Sequence, residues 1–269
     1  MRGSFRHAVE ARRFLRMAHR GASAYAPENT IPAFELACAQ GADALELDVR
    51  LTRDGEVVVI HDARVDRTTD GRGDVAEMTW RELQTLDAGV RFGDAFRGTR
   101  IPRLREVLER FAGRALLDVE IKGGITAGWL GGTVTEDPSV SVPLAQRVLT
   151  LAEGAGALDR VMISGFGAAV LAWVREACPQ VPTQWSVLAP DIGKDCAYAA
   201  RAGFDVISPQ IYAATEANVA AAHSHGLAVY IYTAGVDAAM GRLIALGVDA
   251  LKTDRPDLLS ALMAGRRET

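Results

Sequence analysis

Short β-branched and apolar runs alternate along the chain with longer stretches of helical period, the pattern of consecutive parallel βα units. The runs that predict strands are Leu15–Arg20, Ala44–Val49, Val57–His61, Ala115–Lys122, Val161–Phe166, Pro182–Val187, Asp205–Ile211, Ala228–Thr233 and Ala250–Asp254. Helices are predicted at Ile31–Gln40, Leu104–Phe111, Pro143–Gly154, Ala168–Ala177, Asp191–Ala202, Glu216–His225 and Asp237–Leu246, several closed by glycine as a C-cap requires. Toward the C-terminus, Ala202-Gly203-Phe204-Asp205, His225-Gly226-Leu227-Ala228 and Leu246-Gly247-Val248-Asp249 each place a glycine before a strand. This repetition favours an α/β fold of the (β/α)8 TIM-barrel type. A doubly wound sheet would carry a Gly-rich phosphate loop after its first strand, and none stands there. Nine strand-like runs exceed the eight of a barrel, and the excess falls at Ala44–His61, where Arg53-Asp54-Gly55 is too short for a crossover helix.

Residues 1–14 read as an N-terminal tail and 15–269 as one barrel domain. Within it, 62–100 is a polar, turn-rich excursion with one predicted helix at Thr79–Leu86, a small insertion rather than a second domain. A second insertion, Gly123–Asp137, gathers five glycines around Trp129 and Leu130 and reads as a mobile lid. The length of 269 residues suits a single barrel, and 49% hydrophobic with 24% charged residues is ordinary globular composition. A net charge of −4 with both signs interspersed leaves no basic field for nucleic acid. Cys38, Cys178 and Cys196 show no metal or disulfide spacing, and neither a signal-peptide core nor a stretch of about 18 apolar residues stands in the sequence. A soluble, cytoplasmic protein without stable membrane insertion is expected.

Candidate chemistry sits where charged residues close the strands: His19-Arg20, Glu46-Leu47-Asp48, His61-Asp62 and Glu120-Ile121-Lys122. In a barrel these ends carry the reactive groups, because the interior below them is expected to be filled by branched apolar side chains. Strand side chains alternate, so Glu46 and Asp48 share a face, as do Glu120 and Lys122. Three carboxylates converging in a low-dielectric site call for a cation, and an all-oxygen donor set selects one hard divalent ion, Mg²⁺ or Ca²⁺. The alternative is an inert network pairing these acids with Arg20, Lys122 or Arg50. Two strand-end histidines, His19 and His61, suit a base and an acid acting across one substrate. His7, His223 and His225 read as solvent-exposed. Arg20 offers a fork and Lys122 a point charge to an anion such as a phosphodiester. Asp66, Thr68, Asp70, Gly71, Asp74 and Glu77 imitate the spacing of an EF-hand loop, but they follow a strand instead of an entering helix and read as turn residues.

His19-Arg20-Gly21, Pro27-Glu28-Asn29-Thr30, Glu46-Leu47-Asp48-Val49, Thr52-Arg53-Asp54-Gly55, His61-Asp62 and Asp66-Arg67-Thr68-Thr69 resemble, in order and spacing, the glycerophosphodiester phosphodiesterases. Glu120-Ile121-Lys122, Gly247-Val248-Asp249 and Thr253-Asp254-Arg255-Pro256 extend the resemblance over roughly Met17 to Asp257. It implies a barrel enzyme that hydrolyses glycerophosphodiesters to an alcohol and sn-glycerol 3-phosphate, through attack by the glycerol 2-hydroxyl and a cyclic phosphate. The resemblance gives the metal to Glu46, Asp48 and Glu120, phosphate to Arg20 and Lys122, and catalysis to His19 as base and His61 as acid. Many members end the eighth strand in Trp-Thr-Val-Asn, whereas this chain has Tyr232-Thr233-Ala234-Gly235; Tyr232 keeps a ring for an apolar part of the substrate or serves as strand packing. Two other readings are a lysophospholipase D-like enzyme whose Trp129-Leu130 loop receives an acyl chain, and a barrel that binds phosphodiesters without turnover.

Overall fold

A computed structural model describes residues 3–127, 133–232 and 237–265. Its strands are β1 Leu15–His19, β2 Ala44–Leu51, β3 Val57–Val59, β4 Leu116–Ile121, β5 Ile125–Ala127, β6 Val134–Glu136, β7 Val161–Gly165, β8 Thr183–Val187, β9 Val206–Pro209, β10 Ala228–Tyr232 and β11 Ala250–Thr253. Its α-helices are α1 Phe5–Glu10, α2 Ile31–Ala39, α3 Trp80–Leu83, α4 Leu104–Phe111, α5 Pro138–Gly154, α6 Ala168–Ala177, α7 Gly193–Arg201, α8 Glu216–Ser224, α9 Asp237–Ala245 and α10 Pro256–Gly265. Eight strands run parallel in the order β1-β11-β10-β9-β8-β7-β4-β2, and β1 pairs β2 to close a TIM barrel. The ninth predicted run is β3, which pairs antiparallel with Val49–Leu51 of β2, above Glu46, the last residue of β2 that β1 reaches. The three repeated glycines Gly203, Gly226 and Gly247 stand at φ +74°, +79° and +80°, which explains why one formula recurs after α7, α8 and α9.

Period-two alternation divides every barrel strand between two environments. Outward residues such as Leu45, Leu47, Leu117, Val119, Ile163, Ile207, Ile231 and Leu251 pack under the helices in the main core. Inward residues form layers. The lowest is apolar, with Leu15, Met17, Ala44, Leu116, Met162, Val206, Ala228, Tyr230 and Ala250. Phe5, Ala8 and Val9 of α1 join that cluster, so the segment expected to be a tail is instead a helical plug under the barrel. Above it the branched apolar filling expected of a barrel gives way to a buried polar layer of Glu46, Asp118, Ser164, Gln184, Ser208 and Lys252.

The excursion at 62–100 is polar outside but packs on itself: Val65, Val75, Leu83 and Ala88 cluster with Val58, Ile60 and Ile101. Its helix is the short α3, started by a Thr79–Glu82 capping box. The EF-hand-like acids are occupied by the loop: Asp66 accepts from the Gly73 N–H and pairs with Arg64, which also holds Asp74. In the second insertion β5 and β6 pair antiparallel, and Glu136 accepts two N–H groups from the start of α6. Trp129 and Leu130, on which the lid and acyl-chain readings depend, lie outside the described residues. His7 and His225 are exposed as expected, whereas His223 is half-buried with Nε2 2.9 Å from Asp249. Among the described residues, no helix is long and apolar enough to cross a membrane.

At Gly21 the chain turns out of β1 at φ +83°, and a Cβ there would lie 2.7 Å from the Ala33 backbone. Gly21→Ala is expected to cost at least about 2 kcal/mol in strain and displaced backbone. A thermal melt checks this by a midpoint lowered by roughly 4–8 °C.

Candidate active site

The parallel register sets Asp48 of β2 beside Glu120 of β4. Glu46, one pleat below Asp48, completes a cluster in which one oxygen from each acid lies within 4.8 Å of the others. All three side chains are buried. Asp48 Oδ1 and Glu120 Oε1 meet no protein donor other than the Lys122 ammonium, which leaves them open to a competing ion. Lys122 touches both, with Nζ 2.6 Å from Glu120 Oε1 and 3.4 Å from Asp48 Oδ1. The expected alternatives, a metal centre and a salt-bridge network, are thus two uses of one cluster. The donor set fits a hard divalent cation, and Lys122 compensates the acids without one. Arg50, offered as a third counter-charge, is spent elsewhere: it donates to the backbone carbonyls of His61 and Lys122 and ties two strand ends together.

Arg20 leaves β1 in the left-handed region at φ +56°, a conformation that costs a side-chain-bearing residue about 1–2 kcal/mol. That turn aims its backbone N–H at Glu46 Oε2, 2.9 Å away, and sets its guanidinium 3.3 Å from Asp48 and 2.9 Å from Glu28. Asn29, also left-handed at φ +58°, donates Nδ2 to Asp48 Oδ2 at 2.8 Å and accepts the Asp48 N–H. Two strained residues on one loop thereby orient two metal-ligand candidates. The charges respond. Burial and Asp48 push the Glu46 carboxyl up to about 7. Asp48 itself, despite burial, is held far below the carboxylate range by Lys122 and Arg20.

Each histidine has a carboxylate on Nδ1. His19 Nδ1 is 2.6 Å from Asp254, which also accepts from the Ser23 hydroxyl. His61 Nδ1 is 2.7 Å from Asp62, which Arg67 holds from its other side. Such a contact fixes ring and tautomer and leaves Nε2 for proton transfer. The two rings differ in charge preference. Burial disfavours the His19 cation, but Glu46 and Asp254 overcome it and raise its pKa. Burial lowers that of His61, and Lys122 and Arg20 keep it low against Asp48 and Asp62. Burial would raise Asp62, yet Arg67 and His61 bring it down to about 2.

Tyr232 closes the far side of this rim. Its ring packs edge-on against Phe166 at 6.1 Å between centroids, and Lys122 Nζ lies 5.7 Å from the Phe166 centroid. Residues 233–235, where the chain departs from the resembled motif, lie outside the described residues. The structure therefore brings seven of the expected residues, Arg20, Glu46, Asp48, His61, Glu120, Lys122 and, through Glu46, His19, into one connected set, with Tyr232 joined through Phe166. Sequence reasoning did not assign Asn29, Glu28, Ser23, Asp62, Arg67 and Asp254, which orient that set. All but Ser23 stood in visible motifs, but nothing local says that Glu28 bridges Arg20 and Arg67.

Residues 19–258 match the Glycerophosphoryl diester phosphodiesterase family. A glycerophosphodiester phosphodiesterase of Caldanaerobacter subterraneus is 35% identical over 257 residues, covering 93% of this chain and 97% of that one. The crystal structure of a glycerophosphodiester phosphodiesterase from Agrobacterium tumefaciens superimposes with a TM-score of 0.74 at 32% identity, covering 91% of this chain and 98% of that one. A phosphodiesterase of Oleispira antarctica, solved in complex with the product sn-glycerol-3-phosphate, gives 0.81 at 25% identity, covering 91% and 95%. With a family match that takes in both dyads, the three acids and both cations, the chain belongs to the glycerophosphoryl diester phosphodiesterase family.

Proposed function

We propose that this protein hydrolyses glycerophosphodiesters to an alcohol and sn-glycerol 3-phosphate with one divalent cation, Mg²⁺ or Ca²⁺, held by Glu46, Asp48 and Glu120. The observation that carries the reading is the meeting, at one barrel mouth, of a three-acid cation cluster with two Nδ1-anchored histidines and two cationic side chains. The ion would supply Lewis-acid neutralisation of charge on the phosphoryl oxygens. With the acids so engaged, Arg20 and Lys122 bind the phosphate, and Tyr232 faces an apolar part of the substrate.

His61, kept neutral by burial and neighbouring cations, takes the proton from the attacking glycerol 2-hydroxyl at Nε2. His19, whose cation is favoured by the Asp254 carboxylate on Nδ1, gives its Nε2 proton to the departing alcohol oxygen. This reverses the order expected from the resemblance, because burial disfavours the His61 cation while the Asp254 carboxylate favours that of His19. Water then opens the cyclic phosphate with the roles exchanged, which restores both rings. A cytoplasmic setting suits Cys38, Cys178 and Cys196, none of which forms a disulfide.

Incubation of the purified protein with glycerophosphocholine, with Mg²⁺ or Ca²⁺ in separate arms, is expected to release glycerol 3-phosphate, read by a coupled dehydrogenase assay. Tight substrate binding without product in either arm would overturn the proposal in favour of a non-catalytic barrel.

A further inference from the structure

Four carboxylates form a two-by-two block on the paired strands β2 and β4: Glu46 opposite Asp118 and, one pleat higher, Asp48 opposite Glu120. All four are buried, and all four point into the barrel, because the intervening Leu45, Leu47, Leu117 and Val119 pack under the helices. With strands about 4.8 Å apart and a pleat repeat of about 6.8 Å, a block of four uncompensated carboxylates would offer oxygen donors to two hard cations. Carboxylate-bridged ions sit about 3.5–4 Å apart. Ser164 Oγ, against Asp118, and Gln184 Oε1 are buried in the same inward layer and add further oxygen atoms.

Only three of the four acids converge. Asp118 is held by Lys252, which reaches across the barrel interior from β11 with Nζ 2.6 Å from Oδ2; the two side chains are 0% and 3% exposed. The ammonium also attracts Glu46 and Glu120. A buried ion pair of this kind is no economical way to fill a barrel, since apolar side chains of similar volume commonly serve stability as well or better. Neither residue belongs to the proton-transfer or phosphate-binding groups.

We propose that Lys252 is a built-in cation that takes the place of a second divalent ion beneath the metal centre, so that the centre holds a single ion. The tethered ammonium compensates Asp118 and the lower side of Glu46 at any ion concentration, and it blocks the volume between Asp118, Glu46 and Ser164. The inference rests on reading Glu46, Asp48 and Glu120 as a cation site, and goes beyond it by assigning the number of ions to Lys252 and Asp118.

Calorimetric titration of Mn²⁺ into chelator-stripped protein separates the two claims. The unaltered chain is expected to bind one ion, Lys252→Ala two, and Lys252→Ala with Asp118→Asn one again. An unaltered chain that takes up no ion would remove the cation site itself, and the inference with it. One ion in the unaltered chain and one in a folded Lys252→Ala would overturn the role of Lys252 alone. If Lys252→Ala is unfolded in chelator, Mn²⁺ must restore its near-UV circular dichroism and melting transition while the double variant folds without the ion; a chain still unfolded in saturating Mn²⁺ overturns the inference.

Discussion

His19→Ala and His61→Ala are each expected to lower kcat on glycerophosphocholine by about 10²–10⁴-fold, the usual worth of a positioned proton-transfer group. The two losses are expected to differ in kind. A glycerophosphodiester with a p-nitrophenol leaving group departs as a stable anion and needs no proton. On that substrate His19→Ala is expected to regain most of its rate, while His61→Ala stays impaired. The opposite pattern would exchange the assigned roles. The pH dependence of kcat/KM gives a second readout. His61 must be neutral to accept a proton, so the rate rises as pH climbs through its lowered pKa, below about 6.5. His19 must be protonated to donate, so the rate falls as pH climbs through its raised pKa, above about 6.5. A profile with an acid and an alkaline limb follows, and each variant loses one: the acid limb in His61→Ala, the alkaline limb in His19→Ala.

Removing the divalent ion with EDTA is expected to abolish turnover, and Glu46→Ala to do so even in excess Mg²⁺ or Ca²⁺. Charge neutralisation by a metal at a phosphoryl oxygen is worth several kcal/mol, and each 1.36 kcal/mol is tenfold, so the loss is at least about 10³-fold. Re-addition of one ion after EDTA identifies the metal by which of the two restores the rate. The stripped protein is expected to stay folded, because Lys122 already contacts Glu120 and Asp48 and Arg20 contacts Asp48. Near-UV circular dichroism checks that expectation. Turnover undiminished by EDTA would take the ion out of the mechanism.

Much of the barrel was legible locally. The run at Ala44–His61 announced both a barrel strand and a surplus one, since three turn residues cannot house a crossover helix; β3 is that surplus strand, antiparallel on β2. The alternation Glu46-Leu47-Asp48 correctly put two acids on one face and Leu47 under the helices. The plug was not legible, because Phe5, Ala8 and Val9 stand among charged residues in a short stretch, and their burial needs the open bottom of a finished barrel. The same holds for Trp80 and Leu86, whose small core exists only once the excursion folds back on β3.

What the sequence by itself determined is everything that depends on short-range periodicity: the βα alternation, the inward face of each strand, and the chemical types gathered at strand ends. Side-chain direction in a strand follows from a repeat of two residues and needs no distant partner. Tertiary structure decided which charge meets which. His19 finds Asp254 across 235 positions, Arg67 finds Glu28 across 39, and Lys252 finds Asp118 from the other side of the barrel. Those encounters set whether a ring prefers to be charged, because burial and nearby charges shift proton affinity only at the few ångströms that barrel closure creates.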